Sequence, residues 1–258
     1  LAVYFSSACT ELQVLLTPAV RQQLRADHEV ATALCLKMEM RTCKALREAT
    51  EVHWINRGLS EADLATLGTL GSVLPALEHL TINESSGSAS SDGVPRLAEG
   101  LAAGALPRLT YLDIYGMQMG EAGASALTAA LDRGALPRLK ILALTSAAID
   151  DAALVALAPA LRRRPALEYL YLFGNPLGDD GLAALVAPLP AGTPPPTGRG
   201  GLNKLKELDL DFTQITDAGC AALAAALDSG VLPALVTLNL DGIPASAAAR
   251  DAVREALA

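Results

Sequence analysis

The stretch LPRLTYLDI, Leu106–Ile114, decides the fold because close copies of it recur along the chain. Measured at the first apolar position of each copy, the spacings are 28, 32, 30, 28, 38 and 30 residues. Such spacing indicates a repeat protein with a unit of about 29 residues. The other copies are LPALEHLTI from Leu74, LPRLKILAL from Leu136, PALEYLYL from Pro165, NKLKELDL from Asn203, LPALVTLNL from Leu232, and a degenerate copy with apolar residues at Ala49, Val52 and Trp54.

The segment after each block has the spacing of an amphipathic helix. Apolar residues recur three and four positions apart in GEAGASALTAALDRG, Gly120–Gly134, and in TDAGCAALAAALDSG, Thr216–Gly230. This spacing predicts one buried helix face. Thr216 can cap the helix that begins at Asp217, and each segment ends on a glycine, as helices that close in a left-handed residue commonly do. Each unit is therefore expected to run strand, turn, helix, loop.

A single unit of this kind cannot bury its own apolar face, so the units must stack. Stacking predicts an α/β fold, a solenoid of about seven repeats with a parallel sheet and a layer of helices outside it. Because a helix is wider than a strand, we expect a horseshoe with a concave sheet and convex helices. Residues 49–258 are predicted to form this solenoid, including a C-terminal capping helix that follows Ser246.

Residues 1–48 carry no clean copy of the repeat. Two short helices are predicted there, over Leu12–Leu24 and His28–Ala49, and we expect this N-terminal helical segment to cap the open end of the stack. An adaptor that binds another protein is the alternative. Two departures from the period predict loops, one rich in Ser and Gly over Asn83–Gly93 and one rich in Pro and Gly over Leu189–Gly201.

The LxxLxL blocks followed by long helices resemble leucine-rich repeats of the ribonuclease-inhibitor-like type, over about Ala49–Ala258. The resemblance implies protein binding through the concave face. One departure concerns the ninth position of each repeat, where the family favours Asn or Cys and only Asn175 matches. We therefore expect the backbone ladder that Asn provides to be mostly absent. The ninth positions are Arg57, Ser85, Met117, Ala147, Asn175, Thr213 and Ile243.

Alternate side chains of a strand point to opposite faces, so the residues between the buried leucines predict the chemistry of the concave face. Six of the nine aromatic residues of the chain fall on these outward positions, beside several carboxylates. Exposed aromatic residues are typical of binding hot spots, although strand propensity alone also favours Tyr. The same rule places Glu84 and Ala143 on this face. The predicted partner-binding residues are Tyr111, Asp113, Tyr115, Tyr169, Tyr171, Phe173, Glu207, Asp209, Asp211, Phe212 and Asp241.

Charge and motifs favour a binding protein over an enzyme. The net charge of −8 argues against nucleic acid, whose phosphates require basic residues, and favours a protein partner with a basic segment. No Ser or Cys has a recognisable base partner, and His53 and His79 lack a third ligand, so we expect no catalytic residues, no cofactor and no metal. The predicted function is a non-catalytic interaction or scaffold module, alone or as a subunit of a larger complex.

Two other functions are compatible with the predicted fold. Ran GTPase-activating proteins resemble it, which would make the chain a regulator of a GTPase, and the sensor segment of an innate-immune-type receptor is the other alternative. No apolar run reaches the ~18 residues that span a bilayer, and the four cysteines show no metal-like spacing. We therefore expect a cytoplasmic protein without membrane insertion. Because the chain begins with Leu, targeting to an organelle by a preceding segment is the alternative location.

Overall fold

Strands and helices alternate along the computed structural model, which describes residues 17–40, 42–70, 74–84, 92–187 and 202–258. The strands are β1 (Glu51–Ile55), β2 (His79–Asn83), β3 (Tyr111–Tyr115), β4 (Ile141–Ala143), β5 (Tyr169–Tyr171), β6 (Glu207–Asp209) and β7 (Thr237–Asn239). They pair in parallel, in chain order, and form one open seven-stranded sheet. The predicted solenoid of seven strand-and-helix units is confirmed.

Helices follow every strand of this sheet. In the described ranges they are α1 (Pro18–Lys37), α2 (Cys43–Glu48), α3 (Glu61–Leu70), α4 (Gly93–Ala102), α5 (Gly120–Asp132), α6 (Asp151–Arg162), α7 (Asp179–Val186), α8 (Asp217–Asp228) and α9 (Ala247–Leu257). The predicted cap at Thr216 is present, since its hydroxyl accepts a hydrogen bond from the N–H of Ala218. The side chains of Asp150 and Ser246 cap α6 and α9 in the same manner.

The apolar positions of each block line the core between the sheet and the helices. From β2 to β6, one leucine of each strand pairs in register with the next, and every member of this row is 0% exposed. Burial of each such side chain stabilises the fold by roughly 2 kcal/mol. The degenerate first copy follows the same rule, since Val52 and Trp54 of β1 are buried. The row consists of Leu80, Leu112, Leu142, Leu170 and Leu208.

Helices α3 and α4 approach each other most closely at two glycines. A Cβ atom added to Gly100 would lie 2.2 Å from the Cα of Gly68, which is well inside any real contact distance. Only glycine at position 100 therefore allows this separation of the two helix axes. The small residue sets how tightly the helices of the first and second units of the solenoid stack.

Asn175 forms the predicted ladder contact in the turn after β5. It is 1% exposed, and its Oδ1 accepts hydrogen bonds from the backbone N–H groups of Ala147 and Ile149, at 3.0 and 2.9 Å. Its Nδ2 donates to the carbonyl oxygens of Leu144 and Leu172. The amide thus joins the turn of one repeat to the turn of the preceding repeat.

Glu84 lies in the core of the turn after β2, and its predicted place on the open surface is wrong. It is 0% exposed, and its carboxylate accepts hydrogen bonds from the N–H groups of Arg57, Gly58 and Leu59 at 3.0 to 3.1 Å. The turn directs these donors inward, where an unpaired N–H would be costly. A carboxylate therefore takes the role of the amide here, and the ladder is less sparse than the ninth positions predict.

The N-terminal segment is helical, but its break lies later than predicted. Helix α1 begins after Thr17, whose hydroxyl accepts from the N–H of Val20, and continues without interruption to Lys37. The chain then turns through Glu39, which has a φ of 56°, before α2 begins. Leu34 and Leu46 are buried in the common core. The role of residues 1–48 as a cap stays a prediction.

Both predicted loops fall mainly on residues 85–91 and 188–201, which lie outside the described residues. Within the described ranges, no helix combines the length and the apolar character needed to cross a membrane.

Candidate functional site

The strand residues that point away from the helices form one surface, called here the open face. In β2 and β3, half-buried residues alternate with buried ones, as expected when one side of a sheet is covered. None of the eleven predicted binding residues is buried; nine are half-buried, while Phe212 and Asp241 are exposed. The open face consists of Glu51, His53, His79, Thr81, Tyr111, Asp113, Tyr115, Ile141, Ala143, Tyr169, Tyr171, Phe173, Glu207, Asp209, Asp211, Phe212, Thr237, Asn239 and Asp241.

In the middle of the open face, a short side chain lies between longer ones. Pairing in register puts Ala143 of β4 between Asp113 of β3 and Tyr171 of β5. Ala143 is only 5% exposed, because the flanking side chains are longer and cover it. The prediction that Ala143 is displayed is therefore wrong. Ala143 instead lies below the side chains of β3 and β5, two strands that are about 10 Å apart.

The open face carries more acidic than basic side chains. It contains six Asp or Glu residues and no Lys or Arg, although the chain has 20 basic residues. Burial raises the pKa of Asp113 and of Asp209, although hydrogen bonds from Tyr111 and from the Asp211 N–H act in the opposite direction. Ion pairs in the described part of the chain involve neither carboxylate. A cation brought beside them would favour their charged form.

Tyrosine hydroxyls lie among these carboxylates. Burial raises the pKa of Tyr111 and of Tyr171, and the charges of Asp113 and Glu207 raise them further. Both phenols therefore keep their proton in neutral solution and can donate it in a hydrogen bond. The rings of Tyr169 and Tyr171 are stacked, with centroids 6.5 Å apart and 26° between the planes. The pair offers a broad amphipathic surface of limited mobility.

A second aromatic pair lies after β5 and β6. The ring centroids of Phe173 and Phe212 are 5.1 Å apart, with 57° between the ring planes. Phe212 is 58% exposed and has a φ of 57°, which places a bulky residue in the left-handed region. Gly242 lies directly beneath it, since a Cβ there would be 2.7 Å from the Phe212 ring. The backbone conformation of Phe212 and the contact with Gly242 keep this ring at the surface.

Carboxylates at the C-terminal end of the open face already bind backbone groups. Asp209 Oδ1 accepts from the N–H of Asp211 at 3.0 Å, and Asp211 Oδ1 accepts from the N–H of Asp241. The second bond joins two successive turns, and the three carboxylates are spread along the sheet. Across the described ranges, no group of three or more His, Cys, Asp or Glu side chains is arranged to hold a metal ion.

The first two strands bring two histidines to one carboxylate. Glu51 lies 3.4 Å from His79 Nδ1 and 4.0 Å from His53 Nε2, while His53 Nδ1 is 3.1 Å from the hydroxyl of Thr81. Each histidine therefore has an orienting partner that the sequence did not reveal. All three side chains of the His–Glu group are more than two-fifths exposed, so the contact is screened by water and ions.

Sequence reasoning missed a second row of carboxylates, at the first residue of successive helices. Each accepts hydrogen bonds from the helix start of the next repeat, at 2.6 to 3.0 Å, and so joins neighbouring units. The signal in the sequence was an Asp at the beginning of α6, α7 and α8. The donor and acceptor pairs are Gly178 and Gly181 to Asp151, Thr216 to Asp179, and Ser246 to Asp217.

Comparison with known families agrees with the repeat structure. A family model described as Leucine Rich repeat matches residues 165–186 and 201–224, which carry β5 with α7 and β6 with α8. The search of curated proteins finds no match. Among solved structures, an internalin from Listeria monocytogenes is 12% identical, with 88% of this chain and 92% of that chain covered and a TM-score of 0.29. Both matched segments lie in strand-and-helix units of the seven-stranded sheet.

Proposed function

We propose that this chain, which is a leucine-rich repeat protein, is a non-catalytic interaction module that binds a basic segment of a partner protein on its open face. Repeat solenoids of this kind present extended binding surfaces, and leucine-rich repeat proteins typically bind protein partners. The observation that carries the proposal is the make-up of the open face, which has aromatic rings and six carboxylates without a lysine or arginine.

Half-buried carboxylates favour a basic ligand. In the free protein, burial disfavours the ionised form of Asp113 and Asp209. A lysine or arginine of the partner would offset this cost by direct attraction, and binding would lower both pKa values. Tyr171 lies in the same row of the sheet as Asp209, and Tyr169 lies in the row of Glu207. Both rings would add apolar area and cation–π attraction.

Several features fit the remaining parts of the proposal. The open face offers acceptors and aromatic rings, which suit binding better than catalysis. The long helices of most units favour the ribonuclease-inhibitor-like subtype. The thiols of Cys35, Cys43 and Cys220 are free, which fits a reducing compartment such as the cytoplasm. The module would work alone or within a larger assembly, with α1 and α2 as its cap.

Neutralising the open face tests the proposal. The variant Glu207→Gln/Asp209→Asn removes two charges from that face, and the matched control Glu121→Gln/Asp228→Asn removes two exposed charges from α5 and α8. Fluorescence anisotropy with a labelled Lys/Arg-rich peptide and a Glu-rich peptide of equal length gives the affinities. We expect the basic peptide to bind the wild type and the control, and to bind the open-face variant about five-fold more weakly. Equal loss in both variants, or preference for the acidic peptide, would contradict the proposal.

Partner capture extends the test to natural ligands. Wild-type protein and Tyr169→Ala/Tyr171→Ala/Phe173→Ala would be compared as baits, because truncating buried contact residues weakens a real interface strongly. Proteins that bind through the open face are expected only with the wild type. A partner recovered equally by both baits binds elsewhere on the solenoid.

A further inference from the structure

We propose that Phe212, with Asp211 and Asp241 beside it, forms a subsite of the open face for an arginine side chain of the partner. This inference rests on the proposed function and specifies its chemistry, because it distinguishes arginine from lysine.

Phe212 stands where five of the other six repeats have small or turn-forming residues, and where the second repeat has Glu84. The equivalent turn position has a positive φ in nearly every repeat, including 57° at Phe212. A bulky residue rarely adopts this conformation, and the turn itself forms with Asn, Gly or Ser in its place. A phenyl ring is therefore not needed to make the turn. The corresponding residues are Asn56, Gly116, Ser146, Gly174 and Gly242.

The ring of Phe212 is held in place yet remains open to solvent. Its backbone N–H donates to the carbonyl of Asp241 at 2.7 Å, the Phe173 ring lies 5.1 Å away, and Gly242 lies against the side of the ring that faces the next turn. The residue is nevertheless 58% exposed, so burial in the core does not explain it. An ordered aromatic ring at the surface binds a ligand with little loss of side-chain entropy.

Charge identifies the ligand group that this ring would receive. Asp211 precedes the ring, and its Oδ1 accepts from the N–H of Asp241, so the two carboxyl-bearing residues are neighbours. Asp241 is exposed and Asp211 is half-buried. The whole open face lacks Lys and Arg. Negative charge therefore lies on residues that adjoin Phe212 in its own turn and in the next turn, which favours a cation as the ligand.

Arginine fits this combination better than lysine does. A guanidinium group is planar and weakly hydrated, so it can stack on an aromatic ring while its N–H groups donate to carboxylates at the edge of the ring. The ammonium group of lysine is a compact, strongly hydrated charge. To pair with a carboxylate here, it must either move away from the aromatic ring or lose some of its bound water. The structure thus favours a partner segment with an arginine at the point that reaches the turn after β6.

Three peptides that differ at one residue test this directly. Each would be a fluorescein-labelled nonapeptide with the same flanking lysines and with Arg, Lys or citrulline at the centre, measured by anisotropy. We expect the wild type to bind the Arg peptide about three-fold more tightly than the Lys peptide, and the citrulline peptide more weakly than both.

Substitution of the ring separates stacking from simple apolar contact. Phe212→Leu keeps apolar bulk without a π system, and leucine is compatible with this backbone because Leu106 and Leu136 have φ values of 54° and 51°. We expect the Arg-to-Lys affinity ratio to fall to about one in Phe212→Leu and to increase in Phe212→Trp. Val236 is an exposed apolar residue near the same end of the solenoid, and Val236→Ala should leave the affinity ratio unchanged. Thermal unfolding checks that each variant is folded.

The outcomes separate this inference from the function on which it rests. Equal affinity for the Arg and Lys peptides in the wild type, or an unchanged ratio in Phe212→Leu, overturns the arginine subsite while leaving basic-segment binding intact. Failure of both peptides to bind the wild type overturns the proposed function, and the subsite with it.

Discussion

The Glu84 carboxylate accepts hydrogen bonds from the turn of the preceding repeat as the Asn175 amide does three repeats later. In both repeats one side-chain oxygen accepts from two N–H groups that are two residues apart. Two different functional groups thus solve the same problem, the pairing of inward-directed backbone donors. The equivalence predicts that both side chains stabilise the stack.

Replacing Asn175 by alanine should destabilise the protein by about 3 kcal/mol, because buried donors and acceptors lose their partners without gaining water. The free energy of unfolding can be measured by urea denaturation. Gln118→Ala, which removes an exposed amide, is the control and should cost less than about 0.5 kcal/mol. A similar, small effect in both variants would contradict the ladder role of Asn175.

Replacing Glu84 by alanine should also cost about 3 kcal/mol, since three N–H groups of the first repeat would then be unpaired. Glu84→Gln keeps one acceptor oxygen and should be milder than Glu84→Ala. Amide hydrogen exchange at Arg57, Gly58 and Leu59 gives a local measurement. Unchanged protection of these amides in Glu84→Ala would show that the carboxylate is dispensable.

Asp113→Asn should stabilise the protein at neutral pH. Burial raises the pKa of Asp113 above its ordinary value of 3.8, so the native state prefers the neutral form. The stability linked to protonation is fully present below the unfolded-state pKa and is lost as pH rises through the raised native pKa. Asparagine avoids this loss. The gain in the free energy of unfolding should stay under about 1 kcal/mol, because the side chain at position 113 is partly exposed.

The pH dependence of that gain provides the measurement. Urea denaturation of wild type and Asp113→Asn should show a stability difference at pH 7 that shrinks as pH falls into the acidic range. Glu121→Gln, at an exposed position on α5, should show no comparable gain. A destabilised Asp113→Asn variant at pH 7 would mean that the ionised carboxylate makes a favourable contact that outweighs its burial.

Gly100→Ala should cost about 2 kcal/mol through overpacking, because the added Cβ would overlap backbone atoms of Gly68. Gly123→Ala is the matched control, since the Cβ there would meet the side chain of Met119, which can change rotamer. Thermal unfolding of the two variants should show the larger loss for Gly100→Ala. The reverse order would mean that α3 and α4 can separate at little cost.

Cys35 and Cys43 should differ sharply in reactivity. Their sulfur atoms are 3.4 Å apart, but Cys35 is 2% exposed, and burial together with Cys43 raises its pKa to about 12. The thiolate is the nucleophile, so iodoacetamide at pH 8 should modify Cys43 in the native protein and leave Cys35 protected until unfolding. Peptide mass spectrometry resolves the two sites, and equal labelling would contradict the burial of Cys35.

Local pattern was enough to predict the solenoid and which strand residues point away from its helices. The leucines of each block recur with the period of a strand and fall on one side, so the alternation rule alone put Tyr169, Tyr171 and Asp209 on the open face. Even the degenerate copy at Val52 and Trp54 was correctly placed, because burial depends on position in the block and tolerates different apolar residues.

The sequence pattern gives wrong surface predictions where a side chain contacts residues of another repeat. The alternation rule places Glu84 on the surface, and only the turn of the preceding repeat shows which donors its carboxylate pairs. Ala143 was assigned to the surface because its strand position is outward, yet longer residues on β3 and β5 cover it. The predicted position of the break between α1 and α2 is also wrong, because α1 continues through the polar stretch around Asp27.

The sequence by itself determined the repeat, the parallel order of its units and the face on which each strand residue lies, because these follow from a period that is local to the chain. Tertiary structure alone decided the place of Glu84 in the polar ladder, the close approach at Gly68 and Gly100, and the packing of the Phe212 ring against Phe173 and Gly242. Those features depend on distances between residues about thirty positions apart, and such distances exist only once neighbouring units have stacked.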